Sequence, residues 1–355
     1  MRLFLFICIC LFSVALSAAQ DSFDQIDQSG ALGNATILIY HKFGEDQYPT
    51  TNIAVDKFAS QLKYLHDNDF TVLSLKSLVE LLENGHGIPD KTVAITIDDG
   101  YTSTFTAAWP LLKQYGYPFT VFLYVEAVER QYRNFLTWEQ IREMRLAGVD
   151  FQDHGYSHSR FGDAPQGVND AEYENWVTAD LRKGNKILAE HLGYKPHFLA
   201  LPYGEYNTII QQAARQLNYR AVFSQDPGSV SRYTDIYAIP REPILGIDWS
   251  TMEHFTTILA RKDLPVTDMF PPAKPLINLK PENFCATIVA PELYKKESFG
   301  IYVSELGWQS GKFIGNRLCI KNDATLERRS NRVAISAQEK KSGAAAMRYW
   351  LLIRK

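Results

Sequence analysis

The sequence predicts an α/β chain: a barrel of seven strands alternating with helices, followed by a small β-sandwich. Three observations carry that reading. From Thr36 to about Ile247, short β-branched runs alternate with amphipathic stretches, the pattern of βα units and a mostly parallel sheet. After Phe255 the texture changes, and the prolines Pro265, Pro271, Pro272, Pro275 and Pro281 exclude a helix before a series of short β-like runs. Finally, a chain of 355 residues with 46% apolar content exceeds the roughly 250–300 residues at which a single core stops growing.

The elements follow in order. The opening MRLFLFICICLFSVALSAAQ sets Arg2 before an apolar run, Leu3 to Leu16, and the small residues Ser17, Ala18 and Ala19. That is the pattern of an export signal over 1–19, so the mature protein is expected to start at Gln20 in a periplasmic or extracellular setting. The alternative, an uncleaved anchor, has a short apolar run for a span of about 20 residues. Strands are expected over 35–41 (ATILIYH), 70–75 (FTVLSL), 92–97 (TVAITI), 119–125 (FTVFLYV), 148–154 (GVDFQDH), 197–204 (HFLALPYG) and 219–225 (YRAVFSQ). Helices are expected over 54–68, 74–85, 104–116, 137–148, 175–193 and 207–218, several closed by Gly or Asn in the capping position. The α/β domain is expected over 20–262, an extended proline-rich linker over 263–273, and the sandwich over 274–355.

Composition narrows the partners. Acidic and basic residues are mixed along the chain and the formal charge is −3, which leaves no electrostatic footprint for nucleic acid or an anionic membrane. A neutral partner and a monomer are expected. Cys8 and Cys10 leave with the signal, so Cys285 and Cys319 remain, too few thiols for a cysteine-based structural zinc site but enough for one bridge.

One stretch stands out chemically. In VAITIDDGYTSTF an apolar strand runs into two adjacent carboxylates, Asp98 and Asp99. The ordinary explanation is turn chemistry, since Asp and Gly favour strand ends. In a βα barrel, however, the residues just past the strand ends face one mouth, so Asp98 and Asp99 share it with HGYSH (154–158) and LPYGEYN (201–207). His154 and His158, four apart, have the spacing that places two imidazoles on one side of a helical turn. Two histidines and one aspartate leave a metal with open positions, the arrangement of a catalytic site.

TIDDG (96–100), HGYSH and LPYGEYN together resemble the motifs of the polysaccharide deacetylases of carbohydrate esterase family 4, whose NodB-like fold is a distorted seven-stranded (β/α) barrel. The resemblance spans roughly Thr36 to Phe255. It implies a metal-dependent hydrolase that releases acetate from an extracytoplasmic N-acetylglucosamine polymer. Asp98 resembles the family's catalytic base; Asp99, His154 and His158 resemble its ligands for zinc, with nickel or cobalt as alternatives; the Tyr203 backbone N–H resembles its oxyanion donor.

Two departures matter. Ala200 stands where the family commonly has the arginine that holds its catalytic aspartate, and Arg241 in IPREPIL is the candidate replacement. No C-terminal histidine motif is evident, His254 lying in a helical context. Instead His41 ends the first strand, which is similar to the circularly permuted biofilm poly-β-1,6-N-acetylglucosamine deacetylases and implies that His41 supplies the acid. Tyr101, Tyr156 and Tyr206 beside the motifs are candidate sugar contacts, whereas Trp249 in ILGIDWS reads as core. The competing readings are a glycan-binding protein on an inactive deacetylase scaffold, which the departure at Ala200 makes conceivable, and a functional C-terminal module.

Overall fold

The β-branched run after Asn34 forms strand β1 (Ala35–Tyr40), buried along its whole length. The structure, a computed structural model, describes residues 33–354, so the expected export signal over 1–19 lies outside the described residues. After β1 come the short pair β2 (Lys42–Phe43) and β3 (Asn52–Ile53), then α1 (Val55–Asp67), β4 (Thr71–Val72), α2 (Leu75–Glu83) and β5 (Thr92–Asp99). A π turn at Thr104–Ala108 leads into α3 (Trp109–Tyr115), followed by β6 (Thr120–Leu123), α4 (Val125–Glu129), α5 (Trp138–Leu146) and β7 (Asp150–Asp153). The α/β part ends with α6 (Asp170–Leu192), β8 (Phe198–Ala200), α7 (Thr208–Gln216), β9 (Ala221–Phe223), β10 (Glu242–Pro243) and α8 (Met252–Ala260).

Apart from β2 and β3, which pair only with each other, these strands form one parallel sheet in the order β10-β1-β5-β6-β7-β8-β9, with β4 beside the first half of β5. Its two ends approach each other just before β10, where Ser224 N donates to Ile239 O and Ile239 N to Val222 O, consistent with a distorted barrel. Alternation sorts the side chains of β5 into two sets. Val93, Ile95 and Ile97 join the core under the helices, with Phe58, Leu112, Ile141 and Leu188. Ala94 joins the other cluster with Phe122, Phe198 and Phe223, so the period of two carries Thr96 and Asp98 onto that same face of the strand.

Several expected boundaries moved for local reasons. The strand expected over 70–75 is only Thr71–Val72, because Ser74 caps α2 by accepting from Ser77 N. The strand expected over 119–125 stops at Leu123, since Val125 opens α4. The strand expected over 197–204 stops at Ala200 and gives way to a tight turn at Pro202–Gly204. The helix expected from Asn175 begins at Asp170, where Asn169 and Glu172 form a reciprocal capping box.

The C-terminal part is all β: β11 (Lys262–Asp263), β12 (Val266–Phe270), β13 (Pro275–Leu276), β14 (Asn283–Ile288), β15 (Gly300–Val303), β16 (Gly307–Gln309), β17 (Lys312–Ile314), β18 (Arg317–Lys321), β19 (Ser330–Gln338) and β20 (Ala345–Arg354). They form a sheet in the order β11-β20-β19-β15-β16, with β13 on β20, and a second sheet in the order β12-β14-β18-β17. One apolar cluster draws Phe284, Ile288 and Leu318 from the second sheet and Val333, Ile335 and Trp350 from the first. The proline-rich stretch expected as a linker is extended, yet it is paired: Asp263 lies beside Met347, and Val266 and Thr267 lie beside Ile288 and Thr287.

Cys285 and Cys319 face each other across β14 and β18 and are joined by a disulfide, with their Cα atoms 4.2 Å apart. Thiol titration of unfolded, unreduced protein is expected to find neither cysteine free. Replacing both with serine should lower stability by about 2–4 kcal/mol, measured by denaturant unfolding, because the bridge closes a loop 34 residues long.

Candidate active site

Register builds the centre of the site. Tyr40 pairs with Ile97 in the parallel ladder, so the residues that follow them on the two strands, His41 and Asp98, stand side by side where β1 ends. Asp98 pairs with Phe122 and Asp99 with Leu123, and β7, which delivers His154, is the next strand over.

Asp98 is fully buried and is held by the fully buried Arg241 in a two-point contact, Nη1 to Oδ1 at 2.7 Å and Nη2 to Oδ2 at 2.8 Å. The guanidinium is fixed in turn, Nε donating to Ser224 O at 3.0 Å and Nη1 to Thr96 Oγ1 at 3.2 Å. Burial works to raise the Asp98 pKa, but the charges of Arg241 and then His154 outweigh it, and the carboxyl lies below its ordinary value. Asp98 is therefore ionised at neutral pH. Arg241 reaches the site because residues 236–241 run beside β9 before entering β10.

Asp99 sits with His154 and His158, their candidate ligand atoms all within 4.8 Å of one another. Asp99 Oδ1 lies 3.3 Å from His154 Nε2 and 3.1 Å from His158 Nε2. Both Asp99 Oδ1 and His154 Nε2 are buried without a hydrogen-bond partner. Such close, unpartnered atoms suit ligands of one cation, since donors about 2.0–2.1 Å from a tetrahedral zinc stand about 3.3 Å apart. The His154 Nδ1 contact to Ala200 O, 2.8 Å, orients the ring so that Nε2 is the nitrogen left for a ligand. Thus Ala200, which lacks the side chain to hold Asp98, contributes its carbonyl to His154.

The HGYSH segment is a loop, not the helical turn suggested by the four-residue spacing; His158 reaches Asp99 through a left-handed backbone, φ 52°. Asp99 and Tyr203 are also left-handed, φ 71° and 60°, and non-glycine residues held this way cost on the order of 1–3 kcal/mol each. The surroundings hold the loop. Asp180 of α6 accepts from Tyr156 N at 2.8 Å and Ser157 N at 3.1 Å, and Asp153 accepts from Gly155 N at 2.8 Å and from the Tyr219 hydroxyl. Burial pushes the Asp153 carboxyl up to about 7 despite those hydrogen bonds. Helix α6 approaches so closely because Gly184 has no side chain: a Cβ there would stand 3.1 Å from Tyr156 N and 3.3 Å from Asp153 Oδ1.

His41 is buried, and its Nδ1 has no hydrogen-bond partner. Burial pushes its pKa down, with Asp99 and Asp98 opposing, and the net is below the ordinary histidine value. A histidine so placed rests neutral and is a strong acid once protonated.

Two aromatic side chains lie at the centre, that of Tyr203 and that of the expected contact Tyr101. Tyr203 is 39% exposed with its ring 4.9 Å from that of His158, and the Arg160 guanidinium carbon lies 3.6 Å from the centroid of the Tyr203 ring. Burial, and then Asp99, raise the Tyr101 hydroxyl, placing that side chain beside the carboxylate. Tyr156 has Lys183 Nζ 3.5 Å from the centroid of its ring. Tyr206 is corrected: it is buried, its hydroxyl donates to Asp226 Oδ2 at 2.9 Å and accepts from Leu351 N at 3.2 Å, so it fastens β20 to the α/β part and offers no face to a sugar. Trp249 is corrected in the opposite sense, being 47% exposed.

Residues that the motifs did not flag complete the rim. Lys42 Nζ is sandwiched 3.5 Å from the Tyr48 ring and 3.7 Å from the Tyr101 ring. Burial lowers its pKa, against the pull of Glu45 and Asp99. Its place directly after His41 was the available signal.

Comparisons with known proteins agree with this geometry. Residues 86–222 match the polysaccharide deacetylase family model. The chain is 27% identical over 210 residues to the poly-β-1,6-N-acetyl-D-glucosamine N-deacetylase of Staphylococcus epidermidis, covering 56% of this chain and 70% of that protein. It is 26% identical over 226 residues to the enzyme of the same name from Escherichia coli (strain K12), covering 54% of this chain but only 33% of that protein. Among solved structures, the Streptococcus pyogenes deacetylase PplD in complex with acetate superposes with a TM-score of 0.57 at 25% identity, over 64% of this chain and 99% of that one. With these matches and a buried aspartate beside an Asp-His-His triad, the chain carries, over residues 86–222, a match to the polysaccharide deacetylase domain, an enzyme fold of the amide-hydrolysing class.

Proposed function

We propose that the protein is a metal-dependent N-deacetylase of an N-acetylglucosamine polymer, of the poly-β-1,6-linked kind, acting outside the cytoplasm after removal of residues 1–19. The carrying observation is the division of two adjacent carboxylates, Asp98 locked on Arg241 and Asp99 grouped with His154 and His158. Among the described residues no helix is long and apolar enough to cross a membrane.

Asp99, His154 and His158 hold the divalent ion, zinc, nickel or cobalt, which supplies Lewis acidity at the acetamide carbonyl and an acidified water. Asp98 removes the proton as water attacks. The Tyr203 N–H donates to the developing oxyanion, a kind of contact worth about 3–4 kcal/mol. His41 protonates the departing amine, yielding acetate and a glucosamine unit. Tyr101 and Tyr203 border the sugar. The C-terminal part, into whose two sheets the stretch 263–273 is paired, is read as a sandwich over their shared core.

The test is acetate release from β-1,6- and β-1,4-linked N-acetylglucosamine oligomers and from peptidoglycan. Release is expected from the β-1,6 series, with about one divalent ion per chain and reversible loss of activity on chelation. Full activity in metal-free protein, or no release from any glycan, overturns the proposal. His41→Ala is expected to keep its metal and lose turnover by about 10²–10⁴; a wild-type rate removes His41 from the acid role.

A further inference from the structure

We propose that a second glycan-binding groove runs along the junction between the barrel and the C-terminal sheets, and that it takes the acetylated, uncharged stretch of the polymer. The inference rests on the N-acetylglucosamine reading above. The groove has a cavity volume of about 670 Å³, within the roughly 300–1,000 Å³ of small-ligand sites.

Its walls come from both parts of the chain. Leu245 and Trp249 line the barrel side; Tyr302, Trp308 and Tyr349 line the other. Trp249 is 47% exposed and Trp308 51% exposed, an unusual outlay of the largest apolar side chain on one groove. Trp308 is a fixed platform, paired with Tyr302 across β15 and β16 with ring centroids 5.3 Å apart. Trp249 is braced in near-parallel stacking on His254, 6.1 Å between centroids. Flat rings of this kind suit the C–H faces of pyranoses, and Gln225 supplies a polar side chain for hydroxyl and acetamide groups.

Charge selects the form of the sugar. No described carboxylate lines the groove; its charged lining residues are Arg328 and Arg332, the latter paired with Asp226 through Nε at 2.8 Å. A deacetylated segment, cationic through its free amines, meets positive charge there, whereas an acetylated segment does not. The groove also adjoins the reaction site. Pro243 pairs with Ile39, two residues before His41, and a Cβ on Gly204, the neighbour of Tyr203, would stand 2.3 Å from Gln225 N. The family match ends at residue 222, so the Tyr302–Trp308 wall lies outside it.

The experiment is calorimetric titration of the full chain, metal removed by chelator, with a β-1,6-linked N-acetylglucosamine oligomer and its fully deacetylated counterpart, beside acetate release by the metal-loaded protein. Trp308→Ala is expected to weaken binding about three- to tenfold, Trp249→Ala with Trp308→Ala more, and Trp308→Phe to restore most of it. The deacetylated oligomer should bind at least about tenfold more weakly at pH 6. Both tryptophans are half exposed, so unchanged thermal melting is the check on folding. Wild-type affinity in the double variant, no binding by the wild type, or equal or tighter binding of the deacetylated or an anionic oligomer overturns the groove. If the oligomer binds through the tryptophans yet no acetate is released, the enzymatic reading fails and the groove stands. If acetate is released with the same KM for long chains in wild type and double variant, the groove fails and the enzymatic reading stands.

Discussion

Asp98→Asn is expected to retain bound metal and lose turnover by about 10²–10⁴, while the neighbouring Asp99→Asn loses metal affinity and regains part of its activity at high metal concentration. The two side chains leave the same strand end with different partners: Asp98 has both oxygens on Arg241, whereas Asp99 Oδ1 lies within 3.3 Å of two imidazole nitrogens. An amide at 98 can still accept from the guanidinium but cannot take a proton from water, so added metal brings no rescue. An amide at 99 removes a charged ligand, a loss that mass action partly offsets. Asp98→Asn also leaves the Arg241 charge without its counter-ion, so circular dichroism must establish the assay temperature. Metal content and acetate release of the two variants, measured side by side, decide the matter. Loss of metal in Asp98→Asn with retention in Asp99→Asn reverses the assignment.

Arg241→Ala is expected to destabilise the protein by about 3–5 kcal/mol, because truncating one member of a buried ion pair strands the other. It also changes the pH dependence, with a definite sign. In the native protein Asp98 lies below its ordinary pKa, so its stabilising contribution is present above the unfolded carboxylate value and is lost only as pH falls through the lower folded one. Without Arg241, burial, the largest influence and one that favours the neutral acid, is no longer outweighed, and the folded pKa rises. Below that raised value the base is protonated. The acidic limb of kcat/KM is therefore expected to move to higher pH, and Arg241→Lys, which keeps the charge but loses the two-point contact, to fall between. Thermal unfolding and pH–rate profiles of the three proteins are the measurements; an unshifted acidic limb in Arg241→Ala refutes the role.

The legible and illegible parts of the site separate by the range of the interactions involved. TIDDG and HGYSH announced their chemistry because their residues are unusual at a strand end and close in sequence. The way His158 reaches Asp99 was not legible: a four-residue spacing fits a helical turn, but Asp180 and Asp153 hold the segment as a loop with His158 left-handed. Tyr206 and Trp249 exchanged expected places for a related reason. Both lie beside motifs or apolar stretches, but their exposure depends on where the C-terminal sheets dock, and β20 covers Tyr206 while Trp249 is left at the edge of the junction.

The sequence alone determined the alternation of strands and helices, the change to an all-β C-terminal part, and the residue types that can hold a metal or move a proton. These are set by period-two and helical patterning, proline and glycine chemistry, and the functional groups themselves, all of which act within a few residues. The sequence offered Arg241, 143 residues from Asp98 along the chain, as a candidate partner, but only the tertiary structure decided that the two meet and that a carbonyl at Ala200 orients His154. Ion pairs and hydrogen bonds act across a few ångströms of space, and a barrel brings together strand ends that no local pattern in the chain connects.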